Sequence, residues 1–246
     1  MSATPSPNPL PSSPDPSAAP ASASAASKVR PGAAPSAPSS PSPSPLLPGL
    51  PRLWLRTTPS TNDAARRWAL AGAPDGALVT ALDQTAGRGQ RGHTWSSPPG
   101  LGLPVSYILR PADCPASQAN VWAVYGAMTA LFALRALGLE NLAVKYPNDI
   151  LCRGKKICGI LAEPRLTATR VEFVILGIGL NLLQTPLDFP PDIRPSATSC
   201  LIEGHPSPIP PVLDLLSATL RDVRSIPYPR LHTLWLRSGA RPPAAP

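Results

Sequence analysis

The chain has 246 residues, a formal net charge of +8, 37 prolines and four cysteines. A basic balance of that size fits nucleic acid, a membrane surface or small anionic ligands, but the basic residues around Arg88 and Lys156 lie among glycines, without the aromatic-interleaved ladder of a polyanion binder. The longest apolar run, Val121 to Leu134, is too short and too mixed to span a bilayer, and the cysteines show no C-x-x-C pair and no zinc spacing with the histidines, which fits a reduced compartment.

Residues 1–50 hold 14 of the 37 prolines, no aromatic residue and three charges, Asp15, Lys28 and Arg30. Such a segment buries too little apolar surface to offset the entropy of ordering and reads as disordered. Its Ser/Ala-rich, acid-poor make-up suits an organelle transit peptide, whereas its few arginines and many prolines suit a plain extension. Both readings stand, and with them a cytoplasmic or a plastid or mitochondrial location. Residues 51–239 carry every tryptophan and enough apolar residues for one α/β domain. Residues 240–246 are a tail.

In chain order, Leu53 to Thr57 reads as a strand leading to Pro59-Ser60-Thr61-Asn62-Asp63. Ser60 or Thr61 can cap a helix whose apolar positions Ala64, Ala65, Trp68 and Ala69 recur at helical spacing up to Gly72. Capping explains these polar residues by itself; a cap beside a ligand loop can also donate into a pocket. Gly76 to Leu82 is an apolar strand delivering the stretch Asp83 to Trp95, around which the domain is organised. There Gly87, Gly89 and Gly92 leave backbone uncovered, and Arg88 and Arg91 bring guanidinium groups that pair with carboxylate or phosphate. The alternative is a mobile basic surface loop.

Leu101 to Leu109 is a strand in which Pro104 argues for an edge, bulge or bend. Ala116 to Leu137 is the clearest helix, with Val121, Val124, Tyr125, Met128, Leu131 and Phe132 as one core-facing stripe. Leu142 to Tyr146 is a strand, and Ile150 to Cys152, Arg153-Gly154 and Lys155 to Glu163 form a hairpin. Its Cys152 and Cys158 read as two semi-buried thiols or as partners across the hairpin. Gly159, inside an apolar run, marks close approach by a ligand or another backbone. Arg170 to Leu176 is a strand ending in Gly177-Ile178-Gly179, and a Pro-rich loop spans 183–207. Pro211 to Arg224 and Arg230 to Leu236 are helix candidates.

Five stretches taken together resemble the catalytic domain of biotin-protein ligases: Ser60-Thr61-Asn62; Gln84 to Gly92 with Trp95; Lys145-Tyr146-Pro147-Asn148-Asp149; Lys156 to Glu163; and Gly177 to Asn181. The resemblance implies an α/β fold similar to the class II aminoacyl-tRNA synthetase core, a mixed sheet backed by helices. It also implies two half-reactions, in which the carboxylate of biotin attacks the α-phosphate of ATP and a lysine amine of a carboxylase's biotin carboxyl carrier domain then attacks the biotinyl-adenylate. Arg88, Lys156 and Asp149 are the implied catalytic residues. Ser60, Thr61, Gln84, Gly87, Arg88, Gly89, Lys156 and Gly159 are the implied biotin-binding positions, and Arg91, Asn148 and Asn181 face the nucleotide. ATP and Mg²⁺ are implied, the latter by ATP chemistry and by no visible ligand cluster. DNA is not an expected partner, since residues 1–50 cannot form a winged helix-turn-helix, nor is a membrane, since the longest apolar run is too short to span one.

The chain departs from the family at Gln90, where an arginine is usual, which implies a looser hold on the adenylate. Tyr146 stands for a usual tryptophan, Pro104 interrupts a pocket strand, and an SH3-like C-terminal domain is expected to be absent. The alternatives are a lipoate- or octanoate-protein ligase and a degenerate, non-catalytic biotin-binding module.

Overall fold

The computed structural model describes residues 51–240, so the expectations for residues 1–50 and for 241–246 lie outside the described residues. Seven strands form one sheet: β1 (Arg52–Thr58), β2 (Leu78–Gln84), β3 (Gly102–Leu109), β4 (Leu142–Lys145), β5 (Asp149–Cys152), β6 (Lys155–Leu166) and β7 (Val171–Asn181). Their order is β1-β2-β3-β7-β6-β5-β4. Only β1 and β2 pair in parallel, joined by helix α1 (Thr61–Leu70) as the crossover; the other pairs are antiparallel. This is the expected mixed α/β sheet backed by helices.

Alternation along the strands gives the sheet two different faces. One face, with Tyr107, Leu109, Val174 and Leu176, meets α2 (Val121–Ala136), α3 (Ile209–Arg224) and α4 (Tyr228–Arg237) in the main core. The other, with Val79, Ile108, Phe173 and Ile175, meets the alanines of α1. Helix α2 is not the one-striped helix the sequence suggested: Trp122, Ala127, Ala130 and Ala133 are buried as well, while Phe132 is only half-buried. It lies between the sheet and two further helices, and a helix enclosed on most sides is apolar on most sides.

Pro104 also departs from expectation. It lies in β3, an interior strand, opposite Gly179 of β7. Pairing of β3 with β2 stops at Thr80↔Val105, so the side of Pro104 that lacks an N–H faces a ladder that has already ended. Its carbonyl instead accepts the Thr80 hydroxyl at 2.7 Å. The Gly177–Asn181 segment, expected beyond the end of a strand, continues β7. The four cysteines are free and fully buried, and Cys158 pairs in register with Ile150, so Cys152 and Cys158 do not face each other. The 183–207 loop contains two short 3₁₀ turns, Pro186–Asp188 and Arg194–Ser196. Among the described residues no helix is long and apolar enough to cross a membrane.

Candidate active site

Where α1 covers its face of the sheet, the strands carry Phe173, Ile175 and Ile108; beyond its N-terminus the same face carries Gly177, Gly179 and Gly159. Large side chains give way to bare backbone, and a cavity of about 290 Å³ opens there. Register places a row across five strands along it: Pro104, Gly179, Gly159, Asp149 and Lys145, each opposite the next. The glycines are needed for what lies on them. A Cβ on Gly179 would come within 2.6 Å of the Trp95 ring, one on Gly159 within 3.2 Å of the same ring, and one on Gly177 within 2.4 Å of Asn62 Oδ1.

One wall is the start of α1. Ser60 occupies the N-cap position but makes no capping side-chain bond. Gln84 supplies the acceptor instead: its Oε1 receives the Thr61 N–H at 2.7 Å and the Thr61 hydroxyl at 3.0 Å. An N–H can only donate, which fixes the orientation of the Gln84 amide. The capping explanation of the side chains of Ser60, Thr61 and Asn62 therefore fails, since the cap comes from β2. Asn62 donates to Glu163 Oε2 at 2.7 Å, and the buried Ser106 hydroxyl lies 2.6 Å from Asn62 Oδ1 and 2.8 Å from Thr61 Oγ1.

The roof is the glycine-rich stretch, which folds as a small hairpin and not as a formless loop. Gly89 N–H donates to His93 O at 2.6 Å, Trp95 N–H to Gly87 O at 2.9 Å, and Arg88 bridges Thr94. At its tip, Arg91 (φ 55°) and Gly92 (φ 79°) take left-handed conformations, the first unusual for a residue with a side chain. Gly87 is tight for another reason: a Cβ there would lie 2.4 Å from the Trp95 carbonyl.

Four cationic residues line the cavity, Arg88, Arg91, Lys145 and Lys156, and two of them are paired with carboxylates. Lys156 Nζ stands 2.8 Å from Asp149 Oδ1 and 5.7 Å from the Trp95 ring centroid. Arg88 makes a two-point contact with Asp63, at 2.5 and 2.8 Å, and a longer one with Glu163 at 3.5 Å. The hydrogen bond from Arg88 holds the Asp63 carboxyl below the usual carboxylate range, and the same pairing raises Arg88.

The structure thus brings Ser60, Thr61, Gln84, Arg88, Gly89, Arg91, Asn148, Asp149, Lys156 and Gly159 to one cavity. Gly87 and Asn181 lie outside its lining. Asn181 is buried at the end of β7, donating to Thr198 O at 2.9 Å and accepting from Gln184 at 3.3 Å. Asn148 lines the cavity while its amide is committed to Ile160 O at 2.8 Å. Trp95, Asn62, Ser106 and Glu163 are the residues that the candidate list lacked. Trp95, Asn62 and Glu163 stand in the motifs themselves; Ser106 is one polar residue in an apolar strand and carried no signal.

With the geometry in place, comparison with known proteins gives the family. Residues 54–181 match the model of the biotin/lipoate A/B protein ligase family. The chain is 41% identical over 140 residues to the bifunctional ligase/repressor BirA of Bacillus subtilis, covering 57% of this chain and 43% of that protein. It is 38% identical over 156 residues to the biotin–[acetyl-CoA-carboxylase] ligase of Mycobacterium tuberculosis, covering 61% and 55%. It therefore spans about half the length of these curated relatives. The crystal structure of the Leishmania major biotin protein ligase with biotinyl-5-AMP superposes with a TM-score of 0.65 at 25% identity, over 77% of this chain and 81% of that one. Glycine floor, capped helix start and paired cations on one face of a mixed sheet accompany a family match over more than half of the sequence, and the chain belongs to the biotin/lipoate A/B protein ligase family.

Proposed function

We propose that the chain is an ATP-dependent biotin-protein ligase, which converts biotin to biotinyl-AMP and transfers the biotinyl group to a lysine of a carrier domain of a carboxylase. The observation that carries this reading is the convergence on one glycine floor of a polar wall, Thr61 with Gln84, and two carboxylate-paired cations, Arg88 and Lys156. A ureido ring offers N–H donors and a carbonyl acceptor; the hydroxyl oxygens of Ser60 and Thr61 suit the donors, and Gln84 Nε2, on an amide whose Oε1 is taken twice by Thr61, suits the carbonyl. The glycines seat the Trp95 ring on bare backbone, and that ring offers an aromatic wall to a flat ligand.

The first step joins two anions, so positive groups must hold them within attack distance and offset the charge that builds. A carboxylate oxygen of biotin bonds to the α-phosphorus while pyrophosphate leaves. Arg88 and Lys156 supply the offsetting charge, and Arg91 at the hairpin tip is assigned to the nucleotide with Asn148. Asn181 is retained for the nucleotide side on family resemblance alone. Mg²⁺ would arrive with the nucleotide phosphates, since among the described residues no cluster of His, Cys, Asp or Glu could hold a metal alone. In the second step the amine nitrogen bonds to the biotinyl carbonyl carbon, AMP leaves, and the amine sheds a proton. Asp149, which lines the cavity and pairs with Lys156, is assigned to take it. Gln90 at the tip implies a weaker hold on the adenylate, readable as its faster release.

The test is exchange of pyrophosphate into ATP with biotin, lipoate or octanoate offered in turn. Biotin alone should support exchange, and Lys156→Ala should lower it by about a hundred- to a thousandfold. Exchange with lipoate or octanoate in place of biotin would transfer the reading to the other branch of the family. Biotin binding without exchange would leave a binding module.

A further inference from the structure

We propose that Glu163 and Asp63 are positioning residues for Arg88, a pair of carboxylates outside the cavity lining that fix the guanidinium in the site and join it to the wall that receives the biotin ring. The proposal rests on the reading of Arg88 as the cation of the adenylation step.

Arg88 belongs to a hairpin held at its base by few backbone bonds, so its long side chain is not placed by its own segment. What fixes it comes from elsewhere. Asp63, in the first turn of α1, accepts from both Nη atoms, and Glu163, on β6, takes a further contact from Nη2. A two-point fork sets both the position and the plane of a guanidinium. Glu163 also accepts from Asn62 at 2.7 Å and lies 3.7 Å from Arg66. Asn62 leads to Ser106, Ser106 to Thr61, and Thr61 to Gln84. Side-chain contacts thus run unbroken from Gln84 to Arg88, with Glu163 as the junction. The Ser106 hydroxyl has one proton for two neighbours, so a ligand that engages Thr61 changes which of them it serves, and the change is felt at Asn62 and Glu163.

The charges argue for position and against simple capture of an anion. Two carboxylates against an arginine repel an incoming carboxylate or phosphate, and a group kept only for affinity would stand without them. The pairs are also too exposed to matter much for stability: Arg88 is 41% accessible and Asp63 34%. What the clasp supplies is geometry, which is felt in the chemical step.

The experiment compares Glu163→Gln, Asp63→Asn and the double variant, each in the parent and in an Arg88→Ala background. It reads biotin-dependent pyrophosphate exchange, biotin affinity by calorimetry, melting temperature, and the rate of tryptic cleavage after Arg88. Losing the clasp should lower kcat for exchange by about ten- to a hundredfold, a larger effect than any fall in biotin affinity, with melting temperature nearly unchanged. In the Arg88→Ala background the same changes should have no further effect, and cleavage after Arg88 should be faster in the parent background. A rise in exchange, an equal fall without Arg88, or unaltered cleavage would each overturn the proposal. Absence of exchange in the unmodified protein would count against the ligase reading alone, because the cleavage rates still decide whether these carboxylates hold Arg88.

Discussion

At the scale of single residues, burial and pairing set the chemistry each group can do. Asp63 is held below the usual carboxylate range by Arg88, with Arg67 and Arg66 adding to the effect. The contribution of a lowered carboxyl is present above its ordinary value and is lost only as pH falls through the lowered one, so the Asp63–Arg88 pair is intact throughout the neutral range. The thiols move the other way. Burial pushes Cys152 up to about 11 and Cys200 up to about 12, and raises Cys114 and Cys158 as well. A thiol reagent at about pH 8 should therefore label none of the four cysteines in the native protein and all four after denaturation; labelling of the native protein would show an opening absent from this fold. Arg88 and Lys156 stand out in the sequence as fixed charge among glycines, while Asp149 entered through the family resemblance alone; the structure adds that all three line one cavity. Ser106 and Glu163 were not legible there, because their roles depend on which strand lies beside which.

At the scale of elements, the glycines of β6 and β7 show why boundaries were harder to read than chemistry. Gly177 and Gly179 look like a strand terminus, since glycine weakens strands. They are strand interior instead, and what they lack in side chain is filled by Asn62 and Trp95. Gly179→Ala tests this. The added methyl lands 2.6 Å from the Trp95 ring, which has to move. Biotin affinity should fall by about tenfold, in keeping with one misplaced wall of a close-fitting pocket, and tryptophan fluorescence should shift. The strand itself should not weaken, since alanine orders at a lower entropic cost than glycine. Unchanged affinity would mean that the Trp95 ring takes no part in the pocket.

Across the whole molecule, an ion pair ties the face of the sheet under α1 to the helical layer. Asp75, in the turn between α1 and β2, receives Arg224 from the end of α3 at 3.0 and 3.2 Å and the Arg110 N–H at 2.7 Å. The Arg224 side chain is 1% accessible and its Nε has no partner among the described residues, so Asp75 is the carboxylate that offsets its buried charge. Asp75→Asn should cost about 3–5 kcal/mol, read as a lower urea midpoint; a change below about 1 kcal/mol would mean that water reaches Arg224. The α/β class was legible in composition and in the succession of strand and helix patterns, and the mixed sheet was implied by the family resemblance. The strand order was not: β7 lies between β3 and β6, a pairing made by contacts far apart in sequence. The first turn of α1 has one more consequence. Thr61, Asn62 and Asp63 are consecutive, yet they reach respectively Gln84, Glu163 and Arg88. A redesign that widens the pocket for an altered ring by changing this turn would disturb ring recognition and the reacting end together. Pro104 of β3, opposite Gly179 on the cavity floor, makes none of these side-chain contacts, and it is the place where substrate range can be engineered with turnover kept.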